Sequence, residues 1–157
     1  PSDVAIGADG TVYIAETRAQ KIRAVAPDGT IRTVAGPSYV VPIEPPPAAA
    51  GDEGEEPETE RTVFLATPIS LIVDGDGRVY FAELTGGIVS AFAPGDDPRP
   101  VAGDPAGIGV SGDSALAVAI PAPLALALDA AGNLYVLNTA GELWQVGDGS
   151  GTVGTEP

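Results

Sequence analysis

Three side chains able to donate oxygen ligands recur at one spacing: Glu16, Glu83 and Asn138. Each stands three residues after a tyrosine (Tyr13, Tyr80, Tyr135), and each tyrosine three after a glycine (Gly10, Gly77, Gly132). Ranged around one rim, such groups would bind a cation or a polar substrate. The same side chains also suit a local task, capping the adjacent turn or accepting from backbone N–H groups. Recurrence in every copy favours the local task, because a catalytic group is needed once.

Other groups offer less. Asp74-Gly75-Asp76-Gly77 opens like a calcium loop, but the pattern needs Glu at its twelfth position, where Thr85 falls. The matching segments, Ala8-Asp9-Gly10 and Asp129–Gly132, read as plain turns. Asp113 lies between Ser111 and Ser114, yet no His or nearby Lys activates either hydroxyl, so Asp113 reads as the tie of an Asx turn. Lys21, the sole lysine, neighbours Arg23 on a strand and is expected to pair with surface carboxylates. Trp144 is alone at its repeat position, opposite Arg23 and Val89 of the other copies. It is either packing or an exposed contact residue, the latter because Trp is enriched at binding hot spots.

Composition narrows the classes. The chain has 157 residues, no His and no Cys. That removes Ser-His-Asp and Cys-His catalysis, histidine metal ligation and disulfides. The formal net charge of −15 repels phosphate backbones, so no nucleic acid partner is expected. No apolar run approaches the roughly 18 residues of a spanning helix, so no membrane insertion is expected. Gly 21 and Pro 16, with abundant Val, Ile, Leu and Ala, suit short strands and tight turns.

The elements that hold these residues are themselves repeated. Pro1, Pro68 and Pro123 each precede the turn glycine by nine residues, giving three copies: 1–36, 68–103 and 123–157. Each reads as four short strands. In the first these are Val4–Gly7, Thr11–Ala15, Lys21–Ala26 and Ile31–Ala35, with Asp9-Gly10 and Asp28-Gly29 as hairpin turns. The second has Ile69–Val73, Arg78–Glu83, Gly87–Phe92 and Arg99–Ala102. The third has Leu124–Leu128, Asn133–Leu137, Glu142–Val146 and a weak Gly151–Gly154. Residues 37–67 form a linker whose acidic, Pro-rich part, Pro45–Arg61, is expected to be a mobile loop, either solvated or docking a basic partner. Residues 104–122 form a shorter linker.

Four-stranded repeats at this spacing read as β-propeller blades, an all-β class. The runs Pro1–Glu16, Lys21–Gly36 and Pro123–Asn138 resemble the NHL-repeat propellers, and Gly107–Pro121 is similar to the joint of bacterial members. It departs where Ser114-Ala115-Leu116 replaces Gly-Gly-Pro, and Glu16, Glu83 and Asn138 stand where the family usually has Asp. The resemblance implies three antiparallel NHL-type blades. These would be half of a six-bladed ring or part of a longer propeller, so a homo-oligomer or a longer chain is expected. It implies a non-enzymatic recognition scaffold, binding protein, peptide or glycan through loops on one face, without cofactor, at an extracytoplasmic site. The alternative is a lyase- or hydrolase-like propeller enzyme, its site completed by missing blades or a second copy. The residues expected to bind are Glu16, Glu83, Asn138 and Trp144.

Overall fold

The structure, a computed structural model, describes residues 1–36, 40–42, 60–62, 65–103, 115, 116, 118–146 and 153–156. Three four-stranded antiparallel sheets carry the fold, each built from consecutive strands. The first blade has β1 (Asp3–Ile6), β2 (Val12–Glu16), β3 (Lys21–Val25) and β4 (Ile31–Ala35). A small pair, β5 (Val40–Pro42) and β6 (Glu60–Thr62), follows. The second blade has β7 (Pro68–Val73), β8 (Val79–Glu83), β9 (Ile88–Phe92) and β10 (Arg99–Ala102). The third has β11 (Pro123–Leu128), β12 (Leu134–Asn138), β13 (Leu143–Val146) and β14 (Val153–Glu156). The innermost strands β1, β7 and β11 pack side by side, with β7 in the middle. This is the arrangement expected of adjacent propeller blades.

The first hairpin of each blade is set by one aspartate. Asp9 Oδ1 accepts from the Thr11 N–H at 2.9 Å. Asp74 Oδ1 accepts from Asp76 and Arg78, and Asp129 Oδ1 from Ala131 and Asn133. These oxygens are spent inside their own turns, which accounts for the Asp74–Gly77 stretch without a cation. The joints repeat as well. Thr67 and Ala122, just before the repeated prolines, hold φ of 65° and 46°. Their carbonyls accept from Leu84 and Thr139, tying each blade entry to the end of its second strand.

Period-2 alternation gives every blade two apolar faces. One, here the leading face, turns toward the preceding blade, and the trailing face toward the next. The trailing face of blade one (Tyr13, Ala15, Ile22, Ala24, Ala35) meets the leading face of blade two (Leu71, Val79, Phe81, Phe92) in one buried cluster with Leu65. Tyr13 meets Phe92 edge to face, with ring centroids 6.3 Å apart. A second cluster joins Val89 and Ala102 of blade two to Leu134, Val136, Trp144 and Val146 of blade three, sealed by Ala115, Val118 and Ile120. A polar tie crosses the first junction, the Leu71 N–H donating to Asp3 Oδ2 at 2.8 Å.

Three expectations change. The linker 37–67 contains strand pairing, Val40 opposite Thr62 and Pro42 opposite Glu60. Glu60 and Arg61, expected in a mobile loop, therefore lie in a strand, while the rest of Pro45–Arg61 lies outside the described residues. Asp113, Ser111 and Ser114 lie outside them too. The last strand, Val153–Glu156, runs on past the expected end at Gly154, because its register is set by β13, with Val146 opposite Val153 and Leu143 opposite Glu156, while Gly151 and Thr152 lie outside the described residues. Ser90, and not Val89, matches Trp144 and Arg23: the second-strand partners are Ile14 for Arg23, Phe81 for Ser90 and Val136 for Trp144.

Candidate functional site

Glu16, Glu83 and Asn138 all end the second strand of their blades, at the same end of each sheet. Their chemistry has diverged. Glu83 is 4% exposed. Its Oε2 accepts from the Ala66 N–H at 2.7 Å and its Oε1 from the Ser90 hydroxyl at 2.6 Å. Burial pushes its carboxyl above the ordinary value, and the two bonds pull it back in part. Asn138, 1% exposed, caps its own turn. Its Oδ1 accepts from Ala140 and Glu142, and its Nδ2 donates to Glu142 Oε2 at 2.7 Å. Both therefore do local structural work.

Glu16 differs. It leads into a short 3-10 turn, Thr17–Ala19, and makes no side-chain capping bond there. Half-buried, it lines a cleft of about 660 Å³ with Ser2, Thr17, Arg18 and Ile69. The cleft sits at the joint of blades one and two. The Thr17 hydroxyl lies 2.8 Å from the Pro68 carbonyl, to which it donates, and within bonding distance of the Ser2 hydroxyl. Lys21 stands opposite Glu16 in the ladder. A carboxylate and a guanidinium beside apolar Ile69 suit a polar or zwitterionic ligand held by charge-assisted hydrogen bonds. The Ser2 and Thr17 hydroxyls are engaged with each other and with the Pro68 carbonyl, and no hydrogen bond from either to the Glu16 carboxylate is formed among the described residues.

The structure thus keeps one of the expected binding residues at an open cleft and spends two on turns. Trp144 is corrected as well: expected as a possible contact residue at the surface, it is 9% exposed and packed into the second junction. The reason is strand parity. Trp144 shares the leading face with Val136, which blade two covers. Its indole N–H is buried without a hydrogen-bond partner among the described residues. Ser2, Thr17, Arg18 and Ile69 were not singled out by sequence, since none stands at a repeated position of the motif.

Burial also raises the Tyr13 and Tyr80 hydroxyls, with Asp9 and Asp74 respectively as the next cause. Both remain protonated donors, and Tyr80 donates to Asp74 Oδ2 at 3.2 Å. Tyr135 does the same to Asp129 at 3.3 Å.

No family model and no curated protein matches this chain. Solved structures do. Virginiamycin B lyase from Staphylococcus aureus superposes with a TM-score of 0.61 at 14% identity, over 100% of this chain and 41% of the lyase. A Bacteroides thetaiotaomicron protein of unknown function gives 0.67 at 15% identity, over 98% of this chain and 34% of that one. An auxiliary nutrient binding protein from Bacteroides ovatus gives 0.61 at 13%, over 98% and 35%. The fold is that of a β-propeller. The chain spans between 34 and 41% of the length of these three structures. At such identities the likeness carries the fold and no activity.

Proposed function

We propose that the chain is a non-enzymatic recognition module of the NHL propeller type, taking a protein, peptide or glycan ligand at the rim where the second strands end. One observation supports this above others: Glu16 and Arg18 border an open cleft, while the equivalent Glu83 and Asn138 are consumed by backbone bonds. The first blade presents a charged pair where the other two have Glu83 with Thr85 and Asn138 with Ala140. Placement outside the cytoplasm belongs to the same reading and rests on the resemblance alone.

Peptide and glycan arrays probed with the labelled protein test it. Wild type retains a defined subset of spots, and the pair Glu16→Gln with Arg18→Ala reduces them roughly tenfold, the loss of one charge-assisted bond or more. Equal spot intensities for the two proteins would remove the cleft from the function.

A further inference from the structure

We propose that a hollow at the other end of the first junction binds a primary ammonium group, that of a lysine side chain or of a free alkylamine, through Asp9, Asp76 and Tyr13. It lies at the opposite ends of the sheets from the Glu16 cleft and does not depend on it.

The hollow, about 200 Å³, opens between the first hairpin turns of blades one and two. Residues 7–9 line it from one turn and residues 75–77 from the other, together with Tyr13 and Pro94. The charged groups on its lining are Asp9 and Asp76, both acidic. Asp9 receives the Thr11 N–H on Oδ1 and the Thr11 hydroxyl on Oδ2, and each oxygen keeps a further lone pair to offer. Asp76 stands exposed in the facing turn.

Two carboxylates on neighbouring turns would by themselves be ordinary surface. Tyr13 sets this pair apart. It is 3% exposed, and the edge-to-face contact with Phe92 fixes its ring. Its Cε2 comes within 3.7 Å of where a Cβ on Gly7 would stand, so the hydroxyl end of the ring reaches the hollow. The matching hydroxyls of Tyr80 and Tyr135 donate to their turn aspartates, Asp74 and Asp129. The Tyr13 hydroxyl makes no such bond to Asp9 and no other among the described residues, while Thr11 holds Asp9 Oδ2 at 2.8 Å. A buried phenol left without a partner is costly unless something outside the chain engages it.

The second junction shows what suits this corner. Arg78 follows the turn glycine of blade two, where blade one has Thr11. Its guanidinium lies over the Tyr80 ring, 5.7 Å from the centroid, and acts on the same hydroxyl as Asp74 and Asp76. Blade two therefore brings its own cation to its tyrosine, and blade one puts a neutral residue there. Arg32, the cation felt by Tyr13, lines a neighbouring hollow of about 110 Å³ instead. An alkylammonium carries three N–H donors and no acceptor. Asp9, Asp76 and the Tyr13 oxygen offer three acceptors and two negative charges. No cluster of three acidic groups able to hold a metal ion occurs among the described residues, so the match is to an ammonium.

Titration of the isotope-labelled chain with n-butylammonium, followed by amide NMR shifts in about 0.15 M salt, reads the site. The shifts are expected to saturate and to centre on Ala8, Gly75 and Gly77. Tyr13→Phe keeps the ring and weakens binding about fivefold or more, with no fall in Tm, because no bond within the fold is lost. Asp76→Asn, at an exposed position, weakens it about tenfold. Tyr80→Phe is the control: it gives up the Asp74 bond, so Tm falls while butylammonium binds as before. Butyltrimethylammonium has the same charge and no N–H, and is expected to bind about tenfold more weakly. A capped Ala-Lys-Ala peptide separates the two sources. Tighter binding than butylammonium assigns the site to a lysine side chain, and equal or weaker binding assigns it to a free amine. Shifts that fail to saturate, or that centre on Arg18 and Ile69, overturn the proposal. So do equal binding of the trimethyl ion, and a Tyr13→Phe variant that binds unchanged or loses Tm.

Discussion

At the scale of single residues, Glu83 and the turn aspartates Asp9, Asp28 and Asp129 answer pH in opposite ways. Glu83 is raised by burial, so its folded form prefers the proton. Its ionisation costs stability as the pH rises through and above the ordinary carboxylate range. Asp9, Asp28 and Asp129 are lowered, first by the turn bonds from Thr11, Thr30 and Asn133. Their contribution is present above 3.8 and is lost as the pH falls through the depressed folded values. Glu83→Gln keeps an acceptor for Ala66 and a group that bonds Ser90. It is therefore expected to match or exceed wild type in Tm at pH 7, with the advantage fading toward pH 4. Glu83→Ala instead strands a buried N–H and costs about 2 kcal/mol or more in urea unfolding. A Gln variant less stable than wild type at pH 7 and equal at pH 4 would show that the charge is favourable there. Trp144 gives a second test. Its indole N–H lacks a partner among the described residues, so Trp144→Phe is expected within about 1 kcal/mol of wild type, whereas Trp144→Ala opens a cavity costing about 3–5 kcal/mol. Similar losses for both would mean that the N–H is engaged.

At the scale of elements, two glycines mark where a fourth strand crosses the start of a third. A Cβ on Gly36 would meet the Gln20 carbonyl and Lys21, and one on Gly103 the Gly87 carbonyl and Ile88, both at positive φ. Gly103→Ala is expected to cost about 3 kcal/mol through contact and left-handed strain together, read as a fall in the urea midpoint. Full tolerance would mean that the β9–β10 crossing is looser than it stands. The strands around these crossings were legible because Asp-Gly turns and period-2 alternation coincide in each copy. The pair β5–β6 was not legible: Val40–Pro42 and Glu60–Thr62 are three residues each, too short to show a period, and an acidic, Pro-rich run separates them. Alternation also cannot say which of two apolar faces is covered, and so it left Trp144 undecided. The differing fates of Glu16 and Glu83 depend on a residue far along the blade. Ser90 holds Glu83, and its counterpart in blade one is Arg23, which offers no hydroxyl. That substitution was readable only with the third strands in correct register.

At the scale of the whole molecule, charge and apolar surface oppose one another. The net charge of −15 disfavours compaction and, still more, the meeting of two copies. Salt shortens the screening length from about 30 Å at 0.01 M to about 8 Å at 0.15 M. Over that range the Tm is expected to rise. A fold held mainly by ion pairs would lose Tm instead, so the sign of the salt response separates the two kinds of contact.

Each of the three blade sheets is made of four consecutive strands, and this has a consequence for how the chain reaches its native state. Within a blade, ladder pairing does not wait for a distant segment, so hairpins close locally and early, and the slower step is the docking of finished sheets. The middle sheet is the one held on both sides. Its amides in β8 and β9 should exchange with solvent most slowly, while those of the outer sheets open first by fraying away from it.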